Sequence, residues 1–99
     1  MRCFRKSEVE FYNKKSLEEL LKIKEEIENI LKAGYLHYPK QTMKVKLSDN
    51  TVNILNDQLT LIKYIAINKG YFDIGGKDDY QIEFHEFENI DLVYIIIWR

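Results

Sequence analysis

The sequence predicts a single α+β domain, residues 1–99, in which helices pack on an antiparallel sheet. Apolar residues recur every three or four positions over 17–33, which is typical of an amphipathic helix. Apolar and polar residues alternate over 43–55 and again over 80–85, as they do in half-buried strands. The run 92–98 is apolar on both faces, as in a central strand. The expected order is β-α-ββ-α-ββ, an antiparallel sheet with two helices packed on it.

The first predicted elements are a strand over 8–12 and the helix over 17–33. The strand prediction depends on a short alternation of polar and apolar residues. The helix prediction depends on a capping box, in which the Ser16 hydroxyl and the Glu19 carboxylate each accept a hydrogen bond from the other residue's backbone amide. Gly34 follows the last apolar position and is expected to end the helix in the left-handed conformation.

A loop and a hairpin are expected next. Residues 35–39 predict a connecting loop, because the stretch ends in the only proline of the chain. Residues 43–55 predict a β-hairpin that turns at Asp49 and Asn50.

The second half of the chain predicts a helix, a loop and two strands. Asn56 is expected to cap a helix over 57–69, although the β-branched residues of that stretch leave a strand as the alternative. Residues 73–79 are rich in glycine and acidic residues, which is typical of a loop. Strands over 80–85 and 92–98 complete the sheet.

The composition indicates a folded, soluble protein. Hydrophobic residues make up 45% of the chain and charged residues 31%, which excludes a disordered segment. The longest apolar run, 92–98, is far shorter than the roughly 18 residues of a membrane helix. The first residues are charged and lack the apolar core of a signal peptide. We therefore expect no membrane association and a location in the cytoplasm.

Charge is unevenly distributed along the chain. Residues 1–46 carry eleven basic and seven acidic side chains, whereas 47–99 carry four basic and nine acidic ones. Because the net charge is −1, nucleic acid is not expected as a partner. The acidic half is expected instead to bind a basic surface on another protein. The predicted partner-binding residues are Asp78, Asp79, Glu83, Glu86 and Glu88.

The aromatic content favours a second interface. Seven tyrosines are more than a core of this size can bury, and tyrosine is enriched where proteins meet. Together with the two-sided apolar run, this predicts a homodimer. The predicted dimer-interface residues are Leu92, Tyr94, Ile96 and Trp98.

Nothing in the sequence predicts catalysis, a metal site or a cofactor. His37 has no second ligand at metal-binding spacing, and His85 lies two residues from Glu83 as any strand neighbour does. Cys3 is the only cysteine and has no histidine near it in sequence. The alternative function is nucleic-acid binding through basic residues interleaved with aromatic ones near the N-terminus. Those residues are Arg2, Arg5, Lys6 and Lys14.

Two short segments support a resemblance. Tyr80 to Phe84 and the closing Tyr94 to Arg99 resemble small orphan proteins of archaeal filamentous and rod-shaped viruses, including type I-D anti-CRISPR proteins. This resemblance implies an acidic, non-enzymatic dimer that blocks a host protein by binding its surface. The strand–helix start and the closing hairpin also look like RelE-type ribonuclease toxins, which implies RNA cleavage in a basic groove.

Overall fold

The computed structural model describes residues 2–38, 40, 42–71 and 81–98. Over these residues the fold is α+β, as predicted, but with three helices and two antiparallel sheets. The predicted loop 73–79 and the first residue of the predicted strand 80–85 lie outside the described residues. The elements are β1 (Arg2–Phe4), α1 (Lys6–Asn13), α2 (Leu17–Ala33), β2 (Tyr35–Tyr38), β3 (Met43–Lys46), α3 (Asp49–Lys69), β4 (Gln81–Glu86) and β5 (Val93–Trp98).

The larger sheet has three strands in the order β1-β5-β4. β5 pairs antiparallel with β1 on one side and with β4 on the other. The apolar run 92–98 therefore supplies the central strand, as its two-sided apolar character predicts. The smaller sheet is the hairpin β2–β3. The prediction of one sheet carrying two helices was wrong in both counts for the described residues.

Helix α2 has the predicted bounds. The Ser16 hydroxyl accepts a hydrogen bond from the Glu19 backbone amide at 3.2 Å, and the Glu19 carboxylate accepts one from the Ser16 amide at 3.1 Å. Gly34 ends the helix at φ 78°, a conformation that costs glycine little because it lacks a Cβ. The capping box and the C-terminal glycine are both confirmed.

The predicted strand over 8–12 is wrong, because these residues lie in α1. An alternation of five residues is compatible with either conformation. Val9 and Tyr12, three positions apart, share the helix face that packs against the core, whereas Phe11 is exposed. The N-terminal strand is β1, which pairs with β5 instead.

The predicted loop is wrong over 35–38, which form β2. Of the predicted hairpin 43–55, the first strand is present as β3, but its pairing and its second strand are wrong. β3 pairs with β2, and the chain after it enters α3. Ser48 caps α3 by accepting a hydrogen bond from the Thr51 amide at 3.2 Å, so Asp49 and Asn50 occupy the first helical turn rather than a β-turn. The predicted helix 57–69 is correct in type, but α3 begins eight residues before it, at Asp49 rather than 57.

One hydrophobic core joins the three helices to one face of the larger sheet. Leu61, Ile62 and Ile65 of α3 are fully buried, and Leu20 of α2 packs with them. The sheet contributes three further core side chains, namely Phe4, Ile82 and Ile95. All the described helices thus lie on the same side of the larger sheet.

Candidate functional site

The opposite face of the larger sheet is defined by its register. Side chains directly opposite one another in antiparallel strands lie on the same face. Cys3 is paired with Tyr94, and Tyr94 with His85. The next residues along the strands add the cross-strand pairs Ile96–Glu83 and Trp98–Gln81. We call this surface the outer sheet face; its residues are Cys3, Gln81, Glu83, His85, Tyr94, Ile96 and Trp98.

No described element packs on the outer sheet face. Tyr94, Ile96 and Trp98 belong neither to the core cluster nor to the partly buried side chains packed against it. Tyr94 and Ile96 are half-buried by their neighbours in the sheet, and Trp98 is 43% exposed. When one face of an antiparallel sheet is exposed to solvent, the side chains on that face are usually polar. An aromatic and aliphatic strip at this position is typical of a binding surface.

The side chains of the outer sheet face hold one another in place. The His85 ring stacks on the Tyr94 ring, with centroids 5.0 Å apart, and the Phe87 ring lies 5.1 Å from that of Tyr94. Nε2 of His85 is 2.8 Å from Oε2 of Glu83. The Trp98 indole donates a hydrogen bond to Oε1 of Gln81 at 2.9 Å. A surface ordered in this way loses less side-chain entropy when a partner binds.

The structure brings together three of the four predicted dimer-interface residues. Tyr94, Ile96 and Trp98 alternate along β5 and share the outer sheet face. Leu92 precedes β5 and is half-buried. It lines a cleft of about 220 Å³ whose other residues include Arg2 and Asp57.

The predicted acidic residues lie on one hairpin but not on one face. Glu83 is on the outer sheet face, whereas Glu86 pairs with Val93 and is directed to the other side of the sheet. Glu88 is exposed in the turn between β4 and β5. Asp78 and Asp79 lie outside the described residues. Residues 81–98 hold four acidic side chains and no lysine or arginine.

The two predicted interfaces overlap. Glu83, a predicted partner-binding residue, is the cross-strand neighbour of Ile96, a predicted dimer residue. A second copy covering Ile96 would cover Glu83 as well. A basic partner protein and a second copy of the chain would therefore compete for the same surface.

The outer sheet face does not form a cysteine–histidine pair. Cys3 and His85 lie in the same row, two strands apart, with Tyr94 between them. Two strand spacings are about 9.6 Å, whereas proton transfer needs about 3 Å. Among the residues that the structure describes, no group of three or more His, Cys, Asp or Glu side chains is placed to hold a metal ion.

Two of the four N-terminal basic residues have intramolecular partners. Arg2 forms an ion pair with Asp57, and Nζ of Lys6 donates a hydrogen bond to the Phe87 carbonyl at 2.8 Å. Arg5 and Lys14 are exposed at the two ends of α1. Arg2 therefore joins β1 to α3, and Lys6 joins α1 to the β4–β5 turn.

Sequence reasoning missed the row of side chains from Cys3 through Tyr94 to His85. The row depends on the pairing of β1 with β5, residues that are far apart in sequence. The only local signal was the two-residue spacing of Glu83 and His85, which places both on one face of a strand.

The chain was compared with known proteins. No family model, curated protein or solved structure matches it. Within the described ranges, every helix is too short or too polar to cross a membrane.

Proposed function

We propose that the chain is a non-enzymatic protein-interaction module that binds a partner protein through the outer sheet face. The observation that carries the proposal is the strip Tyr94, Ile96 and Trp98, which no described element covers. Aromatic side chains bury a large area when a partner binds, and they dominate the affinity of many protein interfaces. The stacked and hydrogen-bonded neighbours of the strip support the same function because they preorganise it.

The partner that suits this surface has an apolar centre with basic groups around it. The strip supplies the apolar contact, and Glu83 lies beside Ile96. Glu86 and Glu88 are exposed on the same hairpin, which carries no lysine or arginine. Complementary charge raises the association rate and rejects acidic partners, while the buried apolar centre supplies most of the affinity.

We further propose that binding inhibits the partner, a host protein whose basic site the β4–β5 hairpin covers. The resemblance to small proteins of archaeal viruses motivates this step, and the acidic character of residues 81–98 supports it. In this proposal the chain is a viral accessory protein that acts in the host cytoplasm. It needs no catalytic group, because occupying the basic site is enough to exclude its natural ligand.

Affinity capture from nuclease-treated host lysate tests the proposed surface. The variant Ile96→Ser/Trp98→Ser removes two apolar side chains from the outer sheet face. The matched control Phe11→Ser/Val45→Ser removes two exposed apolar side chains elsewhere, on α1 and β3. We expect the wild type and the control to retain the same stoichiometric partner, and the Ile96/Trp98 variant to lose it. Equal capture by both variants would contradict the proposal.

Charge reversal tests the nature of the partner. The variant Glu83→Lys/Glu86→Lys/Glu88→Lys should lose capture while keeping the circular dichroism spectrum of the wild type. Its control reverses three exposed acids of α2, namely Glu18, Glu25 and Glu26. Capture that survives reversal on the hairpin would show that the partner does not recognise the acidic side chains.

A further inference from the structure

Positive charge is concentrated on and around the β2–β3 hairpin. Residues 29–48 contain four lysines and no acidic side chain, whereas the whole chain has a net charge of −1. Two of these lysines, Lys44 and Lys46, lie in β3. These lysines are separate from the outer sheet face, which lies on the three-stranded sheet.

The register of the hairpin places its charge on one face. Tyr35 is paired with Lys46, and His37 with Lys44, so these four side chains share a face. The alternating pair Leu36 and Val45 lies on the other face. We call the first face the basic ribbon face; it consists of Tyr35, His37, Lys44 and Lys46.

The basic ribbon face is accessible. All four of its side chains are exposed, and the Tyr35 side chain is 49% exposed. In the described part of the chain, neither Lys44 nor Lys46 forms an ion pair, in contrast to Arg2 in the N-terminal basic group. Among the residues that the structure describes, no acidic side chain therefore neutralises the charge of the ribbon.

We propose that the basic ribbon face binds single-stranded nucleic acid. Lys44 and Lys46 are two residues apart on one strand, a separation of about 6.7 Å, and would contact phosphates along an extended backbone. Tyr35 and His37 present flat rings beside them, on which bases stack. Lysine for the phosphates and an aromatic ring for the base is the combination that proteins use to bind single strands without sequence preference.

A single strand suits this face better than a duplex. Two-stranded ribbons do enter the major groove of DNA, where they contact the edges of stacked bases. A tyrosine ring stacks on the face of a base, and that face is available only where the base is unpaired. The exposed Tyr35 ring beside Lys46 therefore favours an unpaired strand.

The net charge of the chain led to the expectation that nucleic acid is not a partner, and the basic ribbon face changes that expectation. That expectation used the net charge, but binding of phosphates depends on the charge within about one Debye length, roughly 8–10 Å at physiological salt. Of the acidic residues of 81–98, Glu83 and Glu86 lie in β4, which belongs to a different sheet from the basic ribbon face, and the other two lie in the turn after β4. The inference does not depend on the proposed protein-binding function.

Fluorescence anisotropy with labelled oligo(dT) and oligo(U) of about 16 nucleotides tests the proposal. The variant Lys44→Gln/Lys46→Gln removes two charges from the basic ribbon face. The control Arg5→Gln/Lys14→Gln removes the same charge from exposed positions of the N-terminal basic group. A third variant, Tyr35→Ala, removes the stacking surface, and unfolding curves of every variant verify that it folds.

We expect the wild type to bind both oligonucleotides at about 50 mM salt and more weakly at about 200 mM. The Lys44/Lys46 variant should bind more weakly, with a slope of log K against log salt about 1.4 smaller, while the control binds as the wild type does. Tyr35→Ala should lower affinity about fivefold or more. Absence of wild-type binding, equal loss in the control, or tighter binding to a duplex of the same length would each overturn the proposal.

Discussion

Tyr12 joins α1 to α3 at the level of a single side chain. It is buried, and its hydroxyl donates a hydrogen bond to Oε1 of Gln58. The Gln58 amide in turn lies 3.4 Å from Oε1 of Glu8. Burial raises the pKa of Tyr12 above its ordinary 10.0, and the negative charge of Glu8 raises it further. Both effects favour the neutral phenol in the folded state.

The substitution Tyr12→Phe should lower the free energy of unfolding by about 1 kcal/mol at neutral pH, because the hydrogen bond to Gln58 is lost. The pKa is higher in the folded than in the unfolded state. The neutral phenol therefore contributes its full stabilisation below pH 10.0, and this contribution is lost as pH rises through the folded pKa. Denaturant unfolding between neutral and alkaline pH measures both effects.

The wild type should lose stability above about pH 10, and Tyr12→Phe should lose less over the same range. Tyr35→Phe is the control, because Tyr35 is exposed. If Tyr12→Phe and the wild type have parallel profiles, Tyr12 is not the group that the fold keeps neutral.

At the scale of elements, the start of α3 is where sequence and structure differ most. Ser48 caps the helix, and its hydroxyl accepts a hydrogen bond from the Thr51 amide. The sequence pattern instead favours Asn56 as the cap. Ser48→Ala should therefore lower the free energy of unfolding by about 1 kcal/mol. Asn56→Ala, inside the helix and exposed, should change it by less than about 0.5 kcal/mol.

Urea unfolding of the two alanine variants measures this difference. Equal losses of unfolding free energy in the two variants would contradict the assignment of Ser48 as the cap. A larger loss in Asn56→Ala would support the hairpin over 43–55 instead. The comparison uses two polar residues, each replaced by alanine, so it reports on the position of the helix start.

Helix α2 was predictable because its start and end signals agree with fifteen positions of apolar periodicity. The conformation of residues 8–12 was not predictable, because a pattern of only five residues fits the strand period and the helix period equally well. The α3 start was misread because Asp49 and Asn50 are typical both of a β-turn and of a first helical turn. In α3 the apolar residues Val52, Leu55 and Leu59 are three and four residues apart, which is the spacing of one helix face. A strand over 52–55 would place Val52 and Leu55 on opposite faces.

The candidate site could be predicted in part. Alternation along 92–98 placed Tyr94, Ile96 and Trp98 together, because side chains two apart share a face of any strand. Leu92 precedes the strand, which begins at Val93, so alternation along the strand does not place it on the outer sheet face. Which helices cover which face depends on contacts between distant segments, and no local pattern encodes those contacts.

At the scale of the whole molecule, the net charge of −1 is the sum of two surfaces of opposite charge. The hairpin β2–β3 carries lysines without acids, and the hairpin β4–β5 carries acids without lysine or arginine. They belong to different sheets. This distribution is consistent with both proposals, in which a basic protein binds at one surface and an anionic strand at the other. Substitutions on one hairpin should leave binding at the other unchanged.

The central claim is that the outer sheet face binds a different protein, and site-specific photo-crosslinking tests it most directly. A photoreactive phenylalanine derivative placed at Trp98 lies on that face, and one placed at Phe11 is a control of similar exposure, 51% against 43%. After irradiation in nuclease-treated host lysate, we predict one heterologous adduct from position 98 and none of that mass from position 11. The same adduct from both positions, or an adduct of position 98 with a second copy of the chain, would contradict the claim.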